Sequence, residues 1–194
     1  MNYNQPFNTP DNYYWYQNIF TPEEISKLEE DLANLKVETA RVGNDGQESD
    51  VSVRSSRVNW IPNEDKWSWL YSKIITASSE ANKAIWNFDL HSANELIQYT
   101  EYHSTEAGHY TWHMDCGSDY MSHRKISITV QLSESDEYEG GDLELWTGGN
   151  SPLRAPRGKG VAVLFPSYML HRVSPVTKGI RKSLVLWVGG SHFK

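Results

Sequence analysis

The 194-residue sequence has one cysteine, Cys116. A single cysteine excludes an intrachain disulfide framework and a cysteine-rich zinc module, and makes a reducing, cytoplasmic setting the expectation. No uncharged apolar run approaches the ~18 residues of a membrane-crossing helix. The polar start Met1-Asn-Tyr-Asn-Gln-Pro6 has no secretory hydrophobic region. No membrane partner is therefore expected. Internal repeats and long low-complexity tracts are lacking too. Acidic residues stop at Glu144: residues 145–194 hold eight Lys/Arg and no Asp or Glu, although the whole chain carries −7. That basic stretch is not a disordered nucleic-acid arm, because it contains the apolar runs Gly160-Val-Ala-Val-Leu-Phe165 and Ser183-Leu-Val-Leu-Trp-Val188. An anionic small molecule is a third possible partner beside nucleic acid and membrane lipid, and basic residues not so engaged are expected to pair with acids of the first 144.

Aromatics make up 12% of the chain, with eight Trp and eleven Tyr, enough apolar surface for a core. Thr21-Pro22-Glu23-Glu24 reads as a capping box, and Ile25, Leu28, Leu32 and Leu35 continue a helix to about Lys36. Residues 43–50 form a turn-rich loop, a candidate lid or a plain connection. Val51 to Trp60 has strand character, and Asn63 to about Trp86 reads as a second helix. After Leu90 short β segments follow at 95–102, 109–115, 124–132, 142–147, 160–165, 169–173 and 182–188. This pattern predicts an α+β chain with a β-sandwich or jelly-roll core over 91–190. Residues 1–90 would supply helical support and an entrance loop, all within one domain.

Seven histidines invite a search for a metal site. In Gly108-His-Tyr-Thr-Trp-His-Met-Asp115, read as a strand, His113 and Asp115 share a face. His171, in another β segment, is the best third ligand. Two His and one carboxylate leave coordination positions open, the arrangement of non-haem Fe(II) oxygenases. A helical zinc pair, His109 with His113, fits less well, because Tyr110 stands where zincins carry Glu. His91, His103, His123 and His192 have no partner at useful spacing. Arg181 lies ten residues after His171, with Ser183 on the same strand face. A guanidinium fork beside a hydroxyl suits a carboxylate such as that of 2-oxoglutarate.

These blocks resemble the Fe(II)/2-oxoglutarate-dependent dioxygenases, in particular the prolyl 4-hydroxylase-like branch. The likeness runs through Gln98-Tyr-Thr-Glu-Tyr102, the His113–Asp115 strand, Arg124 to Ser133, Tyr138-Glu-Gly-Gly-Asp-Leu-Glu-Leu145 and Gly160 to Trp187. The resemblance implies a double-stranded β-helix buttressed by N-terminal helices, with Fe(II) on His113, Asp115 and His171. It implies 2-oxoglutarate on Arg181, with Tyr102 and Ser183 as further contacts and Tyr110 as a rival to Tyr102. It further implies O₂ as oxidant, ascorbate as a reductant, and succinate and CO₂ as co-products. Asp115 favours hydroxylation over halogenation, since related halogenases carry a small residue there. The implied substrate is a prolyl residue in a peptide or protein; a free amino acid or other small molecule is the alternative, and a metal-free jelly-roll binding module a more distant one. Arg54, Trp60, Tyr110 and Trp187 are candidate pocket residues. Nucleic-acid dealkylating relatives carry a second Arg six residues after the first, where this chain has Trp187, so no nucleic-acid partner is expected.

Overall fold

A computed structural model describes residues 12–33, 35–40 and 50–192. The candidate lid over 43–50 lies, but for Asp50, outside them. Strand β1 (Tyr14–Tyr16) leads to helix α1 (Pro22–Ala33). The capping box forms: the Thr21 amide donates to Glu24 Oε2 (2.8 Å) and the Glu24 amide to Thr21 Oγ1 (3.2 Å). The helix stops at Ala33 rather than Lys36. Asn59 Nδ2 takes the Lys36 carbonyl at 2.6 Å, and the chain then extends into β2 (Glu38–Thr39).

The strand expected over 51–60 is broken. Asp50 Oδ1 accepts from the Ser52 amide (2.9 Å) and the Asp50 carbonyl from the Arg54 amide (2.9 Å), closing a turn. Two short strands follow, β3 (Arg54–Ser55) and β4 (Arg57–Ile61). A 3₁₀ turn over Asp65–Trp67 then enters α2 (Ser68–Ala84), so the second helix is shorter than its pattern suggests. The remaining strands are β5 (Leu90–Ser92), β6 (Ile97–His103), β7 (His109–His113), β8 (Arg124–Gln131) and β9 (Tyr138–Gly140). They continue with β10 (Leu143–Leu145), β11 (Leu153–Arg154), β12 (Ala162–Pro166), β13 (His171–Val173) and β14 (Val176–Gly190).

Two antiparallel sheets result. The larger runs β1-β12-β8-β14-β6-β4-β2, with β5 and β9 also on β14; the smaller runs β11-β10-β13-β7-β3. The break at Ser56 lets β3 join β7 while β4 joins β6, so the chain changes sheet within three residues. Period-two alternation sorts the two faces of the larger sheet. Ile126, Ile128, Val130, Leu184, Leu186 and Val188 pack in one cluster with Leu28, Leu70 and Ile74 of the helices. Each such side chain, once buried, contributes roughly 1.5–3 kcal/mol. The alternate residues Thr129, Arg181, Ser183, Val185 and Trp187 line a cavity on the other face. This is the expected double-stranded β-helix, its helices buttressing one sheet and its cavity lying between the two.

Candidate metal and carboxylate site

His113 ends β7 and His171 begins β13, and the two are direct cross-strand partners. Their rings therefore lie close, with centroids 4.1 Å apart. The strand does not continue to Asp115 as the alternation suggests. The amides of Asp115 and Cys116 both donate to the Ser167 carbonyl (2.9 and 3.0 Å), and this turn brings the carboxylate back to the rings. His113 Nε2 stands 3.6 Å from Asp115 Oδ1, and His171 Nε2 stands 3.4 Å from Oδ2. One ligand atom from each residue falls within 4.8 Å of the others.

Each imidazole is oriented by its far nitrogen. His113 Nδ1 donates to the Thr111 carbonyl (2.7 Å) and His171 Nδ1 to the Met169 carbonyl (2.8 Å), leaving both Nε2 lone pairs toward Asp115. Ser127 Oγ donates to Asp115 Oδ2 at 2.6 Å, and Ser167 Oγ lies 3.0 Å from Ser127 Oγ. Burial, reinforced by His171, pushes His113 down to about 4. Burial alone would raise the Asp115 carboxyl, but His171, His113 and the Ser127 hydroxyl outweigh it and hold it below the ordinary range. At neutral pH the cluster offers a neutral His113 and an anionic oxygen, a donor set suited to a divalent transition metal.

Arg181 and Ser183 line the same cavity. Arg181 is only 1% exposed. Its Nη1 reaches Ser183 Oγ at a long 3.5 Å, and its Nε and Nη2 have no hydrogen-bond partner among the described residues. A buried guanidinium with unmet donors calls for an anion. The space around its stem depends on Gly141 (φ +62°), where a Cβ would come 2.8 Å from Val176 Cγ2 and 3.2 Å from Arg181 Cδ.

The structure separates the two rival tyrosines. Tyr102 is the cross-strand neighbour of Arg181, its ring 5.3 Å from the guanidinium carbon. Tyr110 stacks on His113, with centroids 3.5 Å apart, and the Arg54 guanidinium carbon lies 4.8 Å from its ring centre. Arg54 is buried, ties Nε to Ser56 Oγ at 2.8 Å and lines the cavity, as does Trp187. Trp60 lies outside the cavity itself, beside one of its walls. It pairs with Gln98 but one strand further out, so its half-exposed ring lies 6.3 Å from Trp187 and does not line the cavity. Ser127, Ser167, Gln98 and Thr129 escaped the sequence reading. Inward alternation on β8 was the available signal for Ser127 and Thr129. Ser167 acts through a turn that no pattern marks.

Comparison with known proteins places this geometry. Residues 97–189 match the model of the 2OG-Fe(II) oxygenase superfamily. A PKHD-type hydroxylase of Alteromonas mediterranea is 34% identical over 186 residues, covering 88% of this chain and 75% of that protein. The chain belongs to the 2OG-Fe(II) oxygenase superfamily. A PKHD-type hydroxylase of Polaromonas sp. is 41% identical over 93 residues, 44% of this chain and 40% of that relative, so this stronger likeness spans well under half of its length. The oxygenase fold is shared with a prolyl hydroxylase of Trichoplax adhaerens solved with a hypoxia inducible factor peptide (TM-score 0.78, 16% identity, 93% of this chain and 84% of that one). The superfamily is one of Fe(II), 2-oxoglutarate and O₂ chemistry, and the oxygenase's His-Asp-His cluster is consistent with it. Among the described residues no helix is long and apolar enough to cross a membrane.

Proposed function

We propose that this oxygenase hydroxylates a prolyl residue in a peptide or protein, using Fe(II), 2-oxoglutarate and O₂ and releasing succinate and CO₂. The observation that carries the reading is one cavity lined by both the His113–Asp115–His171 cluster and a buried Arg181 with unmet donors. Iron would be held by His113 Nε2, Asp115 and His171 Nε2. Once bound with 2-oxoglutarate, it supplies the oxidising power for C–H hydroxylation.

The chain's own residues do the rest. Arg181 and Ser183 receive the distal carboxylate, with Tyr102 beside them. Ser127 holds Asp115 in one orientation. Leu143, Val173, Val185 and Trp187 wall the cavity and exclude water. Exposed Met114 and Leu170, each adjacent in sequence to ligand residues, support a substrate extending beyond the cavity. A free amino acid is the second reading, because Arg54 places another guanidinium on the cavity wall, able to take an α-carboxylate. Incubation with Fe(II), 2-oxoglutarate and ascorbate, followed by mass spectrometry, separates the two. Gain of one oxygen in proline-containing peptides supports the proposal; gain only in free proline or another amino acid replaces it with the second reading.

A further inference from the structure

Arg124 begins β8 and is 7% exposed. Its Nε donates to Glu95 Oε1 at 2.6 Å and its Nη2 to Glu95 Oε2, a fork on a fork. Its Nη1 donates to the main-chain carbonyl of Asp115 at 3.0 Å. Its guanidinium carbon lies 3.9 Å from the centre of the Trp187 ring. One rigid plane thus touches the backbone of a ligand residue and a wall of the cavity, while the carboxylate that holds it does not line that cavity.

Asp115 needs such support. It lies past the end of β7, so no ladder fixes its carbonyl; Ser167 holds only its amide, and Ser127 only its Oδ2. The peptide plane after Asp115 is held at one edge by the Cys116 amide on the Ser167 carbonyl, and at its carbonyl edge by Arg124; without Arg124 that carbonyl keeps no partner and the turn that aims the side chain is held from one side alone. Lysine offers neither the fork nor the flat face, so the arrangement requires arginine.

We propose that the Glu95–Arg124 pair is a positioning device for the metal site. Glu95 locks the guanidinium, which in turn fixes the Asp115 backbone and the Trp187 ring. The inference rests on the reading of His113, Asp115 and His171 as metal ligands, and on neither titration nor substrate identity.

Co(II), a spectroscopic substitute for Fe(II), tests it by titration into the purified full chain, with thermal melts run in parallel. Glu95→Ala should weaken Co(II) binding about 10-fold or more, and should alter the visible ligand-field bands of the protein that does bind. Glu95→Gln, which keeps one acceptor, should fall between Glu95→Ala and wild type. Arg124→Lys should resemble Glu95→Ala, and if it does not fold the Glu95 pair still decides. Wild-type affinity and band shape in both Glu95 variants, even with lowered melting temperatures, would overturn the inference and leave the pair a structural contact. Failure of the wild type itself to bind Co(II) would overturn the metal reading and this inference together.

Discussion

The two ends of the cavity are built differently. At the His-Asp-His end every proposed ligand sits at a strand terminus or past it: His113 closes β7, Asp115 follows it, and His171 opens β13. At the other end Arg181 and Ser183 lie inside β14, laddered to β6 on one side, with Ser183 laddered to β8 on the other. Same-face residues of a regular strand stand roughly 6.6 Å apart. Ligand atoms held within 4.8 Å of one another therefore need the bend that a strand end supplies. A guanidinium that receives one carboxylate needs no convergence, and a buried strand places it at a fixed depth. One end is thus assembled by turns and hydrogen bonds, the other by the sheet itself.

Mutation should split the two ends, and the metal end should show the larger effect. His113→Ala removes a proposed ligand and the ring stacked on Tyr110, but leaves the backbone ladder to His171 in place. It should lower Fe(II) affinity by more than about 100-fold, beyond what loss of an outer partner costs. It should also abolish the weak visible charge-transfer band formed anaerobically with Fe(II) and 2-oxoglutarate, while circular dichroism stays native. Persistence of the band would remove His113 from the ligand set. Arg181→Met comes next. Loss of a two-pronged charged hydrogen bond should weaken 2-oxoglutarate by about 3 kcal/mol, roughly 100-fold, with Co(II) affinity unchanged. Because Nε and Nη2 lack partners among the described residues, the ligand-free variant should melt no lower than wild type. A marked fall in its melting temperature would mean that the guanidinium is satisfied without an anion.

The same contrast explains what could be read in advance. Arg181 and Ser183 obey period two, so their shared face follows from spacing alone. The helix start at Thr21 is equally local, since the box closes within three residues. His113 and Asp115 were paired by the same alternation, and they do converge, yet through the turn onto the Ser167 carbonyl rather than a continuous strand. That carbonyl is 52 positions away, and no local pattern announces it. Strands β1, β5, β9 and β11 were missed for a related reason. Each has two or three residues, too few for alternation to register, and exists because a partner strand is already in place. The place of Trp60, one strand out from Gln98 and beside Trp187, depends on strand order, which pairing decides.

Acid should sharpen the contrast further. His113 is held down to about 4, from an ordinary 6.5, by burial first and His171 second. Between those values the unfolded chain binds the proton and the native chain does not. The stabilisation from the neutral ring is therefore complete above about pH 6.5 and is lost as pH falls toward 4. Asp115, held below its ordinary 3.8, acts in the same direction at still lower pH. Urea midpoints of chelator-treated protein should fall between pH 6.5 and 4.5, and His113→Ala should flatten that fall. Arg181→Met should leave the slope as in wild type, because arginine does not titrate in this range. An equal slope in His113→Ala would place the titrating group elsewhere.

The smallest effect is expected among the other basic residues of the C-terminal stretch. Five of them pair with acids of the first 144 residues: Arg154 and Arg157 with Asp142, Arg172 with Glu144, Lys159 with Glu29 and Lys178 with Glu139. Lys182 acts on Glu101, while Lys194 lies outside the described residues. Charge segregation along the chain thus becomes charge pairing in the fold, with Arg181 kept apart from it. The Lys178–Glu139 pair spans 3.1 Å, but its side chains are 74% and 65% exposed. Screening and side-chain entropy leave such a pair about 0–1 kcal/mol. Lys178→Ala should shift the urea midpoint little, less still at high salt, and leave 2-oxoglutarate affinity untouched. A change in that affinity would mean that the C-terminal stretch acts on the cavity through its collective charge and not through Arg181 alone.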